Sequence, residues 1–114
     1  YLITGMLFKD HGTIGQFGRE KQYGDMLNDL FVKSGLIFER EKVLPIEGLA
    51  NKFTNRVDFV INNLVLLDLK AKPIITKEDL NQMKRYLDAG NYKLGLIANF
   101  HQNFLKPVRV IRAE

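Results

Sequence analysis

Two apolar segments rich in β-branched residues, 54–61 and 65–71, lie near the middle of the chain and are separated by a short stretch that begins with Asn62-Asn63. Segments of this length are typical of half-buried or buried strands. Asparagine accepts the left-handed backbone that tight hairpin turns require. The pattern therefore predicts a β-hairpin, and this hairpin limits how the rest of the chain can be arranged.

The length of the hairpin turn decides whether the charged residues of its strands meet. Side chains alternate between the two faces of a strand, so Asp58, Asp68 and Lys70 share a face only if Asp58 lies opposite Asp68. That register requires a three-residue turn over residues 62–64, with one asparagine left-handed, whereas a two-residue turn would separate the aspartates. Opposed carboxylates repel each other. A divalent cation would offset this repulsion, and Mg²⁺ prefers carboxylate, carbonyl and water oxygens.

Helical periodicity predicts two helices around the hairpin. Apolar residues recur at three- and four-residue spacing over 19–33, and Gly35 follows as a stop signal. Thr76 and Asp79 resemble a capping box at the start of a second helix, which Gly90 closes. A shorter helix is expected over residues 2–9, with 10–18 as its connection to the next element.

Three further segments are expected to add strands to the hairpin. They cover 36–46, where Pro45 favours a strand end and a loop over 47–52 follows, and then 92–99 and 108–112. After the short first helix, the order is α-β-β-β-α-β-β. We therefore expect an α/β fold with a mixed central β-sheet flanked by helices, in a single domain over residues 1–114.

Composition narrows the chemistry and the partners of the chain. There is no cysteine, so any metal must be held by oxygen or imidazole ligands. No apolar run approaches the roughly 20 residues of a membrane span, so we expect a cytoplasmic protein without a membrane partner. The net charge of +4 suits a polyanionic partner. Because a core this small exposes little surface for gripping a duplex, a homodimer is also plausible.

The charged hairpin residues and their surroundings resemble a known family. Asp58, a spacer and Asp68-x-Lys70 match the signature of the PD-(D/E)xK nucleases. The stretch 20–23 resembles the E-x-x-Y half of the GxxExxY branch, 94–100 resembles the C-terminal strand of that branch, and 82–86 matches the Q-x-x-x-Y element of RecB-like exonucleases. The chain departs from these patterns at three positions, which are Phe17 and Val57, where Gly and Pro are usual, and Asp68, where Glu is commoner.

The resemblance implies a restriction-endonuclease-like core and a metal site. In such enzymes Asp58, Asp68 and the backbone carbonyl of Leu69 would ligate Mg²⁺ or Mn²⁺, and Glu20 would be a further ligand, directly or through water. The resemblance also implies that Lys70 positions or deprotonates the attacking water. It thus implies a nuclease that hydrolyses phosphodiester bonds, with DNA as the expected substrate.

Gln82 and Tyr86 are the remaining residues of the predicted site. They lie four residues apart and so share one helical flank, from which they could border the cleft and position substrate or water. Tyr86 could equally be an aromatic residue at the edge of the core. Asn99, at a predicted strand end, could cap backbone groups or contact substrate.

Two classes of function remain open. The first is a metal-dependent nuclease, since each signature position carries a competent residue type. The second is a catalytically silent module that keeps the nuclease fold and binds nucleic acid or another protein. Loss of a ligand or of the lysine would indicate the silent module, and the sequence shows no such loss. Three basic residues near the C-terminus, Lys106, Arg109 and Arg112, could be solvated or touch phosphates. The two histidines, His11 and His101, are expected on surface loops.

Overall fold

The computed structural model describes residues 2–44 and 56–112. In chain order the elements are α1 (Leu2–Ile14), α2 (Glu20–Ser34), β1 (Phe38–Val43), β2 (Arg56–Ile61), β3 (Val65–Lys70), α3 (Lys77–Gly90), β4 (Leu94–Asn99) and β5 (Val108–Ile111). The five strands form one sheet in the order β1-β2-β3-β4-β5. Only the β3/β4 pair is parallel, because α3 crosses between them. The expected mixed sheet with flanking helices is confirmed.

The helices cover both faces of the sheet and create two apolar layers. On one face, α1 and α2 pack against Phe59, Leu67 and Ala98 through a set of fully buried side chains, which are Leu7, Tyr23, Leu27 and Phe31. On the other face, α3 contributes Met83 and Leu87 to a second cluster with residues of β2, β3 and β4. The central strands β2, β3 and β4 are therefore buried on both sides, which explains their nearly continuous apolar sequences. None of the described helices is long and apolar enough to cross a membrane.

The β2/β3 hairpin has the three-residue turn that the shared-face register requires. Ile61 pairs with Val65, and the Leu64 N–H donates to the Ile61 carbonyl at 3.0 Å. Asn62 and Asn63 both have positive φ, at 53° and 54°, so the expectation of a single left-handed asparagine was wrong. Two left-handed residues complete the reversal, and asparagine tolerates this backbone at low cost.

The first helix is longer than its sequence indicates. Residues 10–14, which were assigned to a connecting loop, continue α1 up to Gly15, whose φ of +88° ends the helix. Gly12 suggested an earlier end, because glycine costs about 1 kcal/mol in a helix interior. Ile14, in the added turn, packs against the core cluster that contains Leu7, and this packing holds the turn in place. His11 consequently lies on a helix rather than on a surface loop.

The other boundaries differ from the predictions by a few residues. The helix expected over 19–33 is α2, capped by Gly35 in left-handed conformation, and the segment 36–46 forms strand only over Phe38–Val43. Pro45 and the predicted loop over 47–52 lie outside the described residues. Thr76 caps α3 through a hydrogen bond from the Asp79 N–H, as expected. Gly90 is the last helical residue, however, and the left-handed cap is Asn91.

Gly90 is required for packing rather than for a left-handed turn. A Cβ atom at this position would lie 2.4 Å from the ring of Tyr92, whose hydroxyl donates to Asn63 Oδ1 at 3.2 Å. We expect Gly90→Ala to destabilise the fold by about 1–3 kcal/mol, the usual cost of overpacking. Urea denaturation would measure this loss. Gly12→Ala is the matched control, because a Cβ atom at this position of α1 meets nothing within 4 Å, so an equal loss in both variants would contradict the packing explanation.

Candidate active site

The β2/β3 hairpin opens next to the predicted site residues. Backbone pairing ends at Phe59 and Leu67, and one further step in the same register places Asp58 opposite Asp68. In place of the next ladder bond, the Leu69 N–H donates to Asp58 Oδ2 at 2.7 Å. The Asp58 side chain thus occupies the point where the two strands separate, beside Asp68.

The neighbouring strand is distorted at the same level. The β1/β2 pairing keeps one register on both sides of Glu41 and Asp58 but omits this pair, and Glu41 has a φ of 54°. Val57 packs in the α3 layer, although Phe59, two residues later, packs in the α1/α2 layer. Regular alternation would put both on one face, so β2 twists at Asp58. The Asp58 carboxylate consequently lies between the two layers, at the edge of a surface cleft.

Electrostatics at Asp58 reflect two buried acids in contact. Burial raises the pKa of Asp58 to about 8, and the adjacent Asp68 contributes through its charge and a hydrogen bond between the side chains. The hydrogen bond from Leu69 lowers the pKa, and the more distant Glu20 charge raises it. Asp58, which together with Asp68 is here called the carboxylate pair, is therefore protonated at neutral pH unless a cation compensates the charge.

Glu20 approaches the carboxylate pair from the opposite wall of the cleft. It is the first residue of α2, it is exposed, and it lines a cleft of about 430 Å³ together with Asp58 and Leu69. Within residues 2–44 and 56–112, no three His, Asp or Glu side chains lie close enough together to hold a metal ion. The fold thus brings the carboxylate pair together and leaves Glu20 facing the same space.

The tyrosine of the E-x-x-Y element supports the loop that leads into Glu20. Tyr23 is fully buried and stacks on Phe100, with ring centroids 4.0 Å apart. Its hydroxyl accepts from the Gly18 N–H at 2.9 Å and donates to the Gly15 carbonyl. These bonds fix both ends of the short loop, so Tyr23 determines where α2 begins.

Lys70 is held against the carboxylate pair by acceptors on two elements. Its Nζ lies 2.9 Å from Asp68 Oδ2 and donates to Gln82 Oε1 at 3.0 Å. Burial alone would lower the pKa of Lys70, but the charge and hydrogen bond of Asp68 and the charge of Asp79 outweigh it and raise the pKa. The ammonium is therefore charged at neutral pH and aimed at the carboxylate pair.

Tyr86 lies behind the carboxylate pair rather than at the mouth of the cleft. It is 3% exposed and packs in the α3 layer. Burial raises the pKa of its phenol, and the Asp68 charge raises it further. Tyr86 is thus a core residue within electrostatic reach of the site, and its sequence partner Gln82 is the one that contacts Lys70.

The structure adds two residues that sequence patterns did not indicate. Arg40 lines the cleft, where its guanidinium lies 2.8 Å from Asp25 Oδ1 and 5.6 Å from the centre of the Phe59 ring. A Cβ atom on Gly24 would come within 2.7 Å of Arg40 Nη2, so only glycine lets the guanidinium lie across α2. In the sequence, Arg40 is one of several charged residues of β1, and no pattern distinguished it from the others.

The second addition is Asp79, whose carboxylate lies between the ammonium groups of Lys70 and Lys72. Asp79 Oδ2 lies 2.8 Å from Lys72 Nζ, and Asp79 Oδ1 lies 4.0 Å from Lys70 Nζ. The capping-box pattern identified Asp79 only as a helix cap. Asn99 has the backbone role rather than a substrate contact, because it is buried and its amide both donates to and accepts from the backbone of Lys72.

The chemistry of the donor set fits a hard divalent cation. The carboxylate pair and the Leu69 carbonyl offer oxygen ligands, which Mg²⁺ and Mn²⁺ prefer. The raised pKa of Asp58 beside Asp68 reflects an excess of negative charge, and a bound cation would release the proton of Asp58. Glu20 faces the remaining side of the cleft and would complete the set by rotation of an exposed side chain.

Comparison with known proteins identifies the family. The family model for the PD-(D/E)XK nuclease superfamily matches residues 1–112. No curated protein sequence matches the chain significantly. Among solved structures, an alkaline exonuclease from Laribacter hongkongensis has a similar fold, with a TM-score of 0.54 and 10% identity over 97% of this chain and 68% of that one. The restriction-endonuclease-like architecture is thereby confirmed, and the chain belongs to the PD-(D/E)XK nuclease superfamily.

Proposed function

We propose that this chain is a nuclease that hydrolyses DNA phosphodiester bonds with Mg²⁺ or Mn²⁺. The observation that carries the proposal is the contact between the carboxylate pair and Lys70 at the opened end of the hairpin. Membership of the superfamily supports a nucleic-acid substrate. The net charge of +4 supports a polyanion. Within the superfamily, the residues 20–23 and 94–100 support the GxxExxY branch.

Four groups would hold the metal in this proposal, namely Asp58, Asp68, the carbonyl of Leu69 and Glu20. When bound, a divalent ion would lower the pKa of water and offset negative charge that develops on the phosphoryl group. The protein supplies the orientation of these ligands. The Leu69 N–H holds Asp58 on one side, and Lys70 holds Asp68 on the other.

Lys70 acts in this proposal as a fixed positive charge beside the attacked phosphate. Its raised pKa favours orientation of water and charge stabilisation over proton abstraction. Gln82 is a positioning residue, because its Oε1 holds the ammonium at 3.0 Å. Tyr86 supports the same region from the core, where it packs with Met83 and Leu87 of α3.

A cleavage assay with four substrates tests the proposal. Purified protein is incubated with single- and double-stranded DNA and RNA in Mg²⁺, in Mn²⁺ and in EDTA. We expect cleavage of DNA that requires the metal and is lost in Asp68→Asn, which keeps the size of the side chain but removes its charge. Cleavage that persists in EDTA, or that Asp68→Asn leaves unchanged, would contradict the proposed role of the site.

A silent module with the nuclease fold is the second candidate. It is favoured by the separation of Glu20 from the carboxylate pair, which leaves no three acidic ligands in contact among the described residues. The two candidates differ in one outcome. Protein that binds Mn²⁺ and nucleic acid yet cuts none of the four substrates would support the silent module.

Divalent metal should also stabilise the fold. A cation that binds only the native state adds RT ln(1 + [L]/Kd), or about 2.7 kcal/mol at 100 Kd. For a domain of this size we expect the melting temperature to rise by several degrees in millimolar Mn²⁺ relative to EDTA. The gain should vanish in Asp58→Ala and persist in Asp29→Ala, which removes an exposed aspartate from the same protein. Identical melting curves for wild type in Mn²⁺ and EDTA would rule out the metal site.

A further inference from the structure

Two phenylalanines beside the proposed active site project into solvent. Phe17 is 85% exposed in the loop between α1 and α2, and Phe104 is 77% exposed in the loop between β4 and β5. They are the two most exposed aromatic side chains among the described residues. A phenyl ring that is exposed in the free protein gains free energy when a ligand covers it.

The two loops that carry these rings are held rigidly by buried anchors. The bonds of the Tyr23 hydroxyl fix Gly15 and Gly18 on either side of Phe17. The second loop is anchored by Phe100 and Leu105, which are 0% and 6% exposed. The rings are therefore presented outward by ordered backbone, which lowers the entropic cost of binding a ligand.

Direct contacts join the two loops to each other. His11 Nε2, on α1, hydrogen-bonds with the Gln102 carbonyl at 2.8 Å, and Gln16 Nε2 donates to the His101 carbonyl at 3.5 Å. Phe17 follows Gln16, and Phe104 follows shortly after Gln102. The two loops therefore lie side by side, and their exposed rings, Phe17 and Phe104, are here called the phenylalanine rim.

The phenylalanine rim adjoins the proposed catalytic residues. Phe17 precedes Glu20 by three residues, and the loop of Phe104 begins at Phe100, whose N–H donates to the Lys70 carbonyl at 2.9 Å. Both loops thus lie next to elements that carry proposed catalytic residues. The rim therefore has the position of a substrate contact.

Charge around the rim matches a nucleic-acid strand. Neither the stretch 15–19 nor the stretch 100–107 contains an acidic residue, whereas Arg19 and Lys106 are both present and exposed. Exposed rings alternating with cations are typical of surfaces that stack bases and neutralise phosphates. A purely apolar partner would gain nothing from these cations.

We propose that the phenylalanine rim stacks unpaired bases and selects single-stranded nucleic acid for the adjacent site. The stacked bases of a duplex offer no free face to Phe17 or Phe104, whereas a single strand or a frayed end does. This inference rests on the proposed nuclease function, because it names the substrate class of that site. It can nevertheless be tested by binding alone.

The test measures binding in EDTA, where a metal-dependent enzyme cannot cut. Fluorescence anisotropy compares a labelled single-stranded oligothymidylate, the same strand built from abasic residues, and a blunt DNA duplex. We expect Phe17→Ala and Phe104→Ala each to weaken oligothymidylate binding by about 5- to 100-fold, the range for loss of one stacked base. Duplex and abasic strands should bind both variants within about twofold of wild type, because phosphate contacts remain.

Two control variants distinguish loss of base stacking from the general effect of removing an exposed apolar side chain and from an effect on folding. Phe17→Trp keeps a stacking surface and should keep wild-type affinity. Leu64→Ala removes a side chain of similar exposure, at 68%, from the hairpin turn at the other end of β3, and it should change no affinity. An equal loss for oligothymidylate, abasic strand and duplex in the phenylalanine variants would overturn the proposal.

Other outcomes distinguish failure of the rim from failure of the nuclease function. Metal-dependent cleavage of single strands at wild-type rate and affinity by both phenylalanine variants would refute the rim and leave the nuclease proposal intact. Binding of single strands through the rim without cleavage of any substrate in Mg²⁺ or Mn²⁺ would support the rim and refute the nuclease proposal. Binding to phosphatidylglycerol vesicles that both variants abolish would assign the rim to a membrane surface and overturn our inference.

Discussion

Replacing Lys70 with methionine should lower the rate of metal-dependent DNA hydrolysis by about 10²–10⁴-fold, the usual scale for loss of a positioned acid–base or charged group. The ammonium forms the ion pair with Asp68 and the hydrogen bond to Gln82. Methionine keeps the apolar stem packed and removes the charge, so the loss measures chemistry rather than folding. Cleavage rates under single-turnover conditions would report it.

The Lys70→Met change should not weaken metal binding. Lys70 offsets the charge of Asp68 without being a ligand, so its removal should leave Mn²⁺ affinity unchanged or higher in calorimetry. Lys84→Met, on the exposed side of α3, serves as the matched control and should leave both cleavage and metal binding at wild-type values. A Lys70→Met variant that cuts at the normal rate would remove this residue from the mechanism.

Replacing Asp10 with asparagine should stabilise the protein at neutral and alkaline pH by up to about 4 kcal/mol. Asp10 is fully buried on α1, and neither of its carboxylate oxygens has a hydrogen-bond partner among the described residues. Burial raises the pKa of this carboxyl from 3.8 to about 7. Ionisation of the folded protein is therefore costly, and the neutral amide avoids that cost.

The pH dependence of this effect follows from the direction of the shift. Below about pH 4 the carboxyl of Asp10 is protonated in both the folded and the unfolded chain, so the charge has no effect on stability. Between pH 4 and pH 7 only the unfolded chain loses the proton, and the stability of the wild type falls as pH rises. Above pH 7 both states are ionised and the penalty is complete.

The measurement is the difference in unfolding free energy between wild type and Asp10→Asn, from urea denaturation at several pH values. This difference should be near zero at pH 4 and reach its full size by pH 8. The titration of all other groups is common to both proteins and cancels in this difference. The Asp29→Asn variant controls for removal of an exposed charge. A difference that stays constant from pH 4 to pH 8 would show that Asp10 does not titrate as its burial implies.

The sequence by itself determined the hairpin and limited its turn to two lengths, of which the three-residue turn places Asp58 opposite Asp68. The alternation of side chains and a three-residue turn at Asn62 fix which residues are opposite, because both are properties of the local backbone. The start of α3 at Thr76 and the end of α2 at Gly35 were likewise predictable from residues that act on neighbouring backbone groups. Resemblance to a known signature added the proposed roles of Asp58, Asp68 and Lys70.

Tertiary structure alone decided how the site is assembled around that hairpin. The twist of β2 at Asp58 depends on β1, the hold on Lys70 comes from Gln82 on α3, and Arg40 reaches the cleft only because Gly24 leaves room on α2. The burial of Asp10 likewise follows from packing of α1 against the sheet. These features join residues far apart along the chain, and their energies depend on burial and approach distances that no local pattern of residue types encodes.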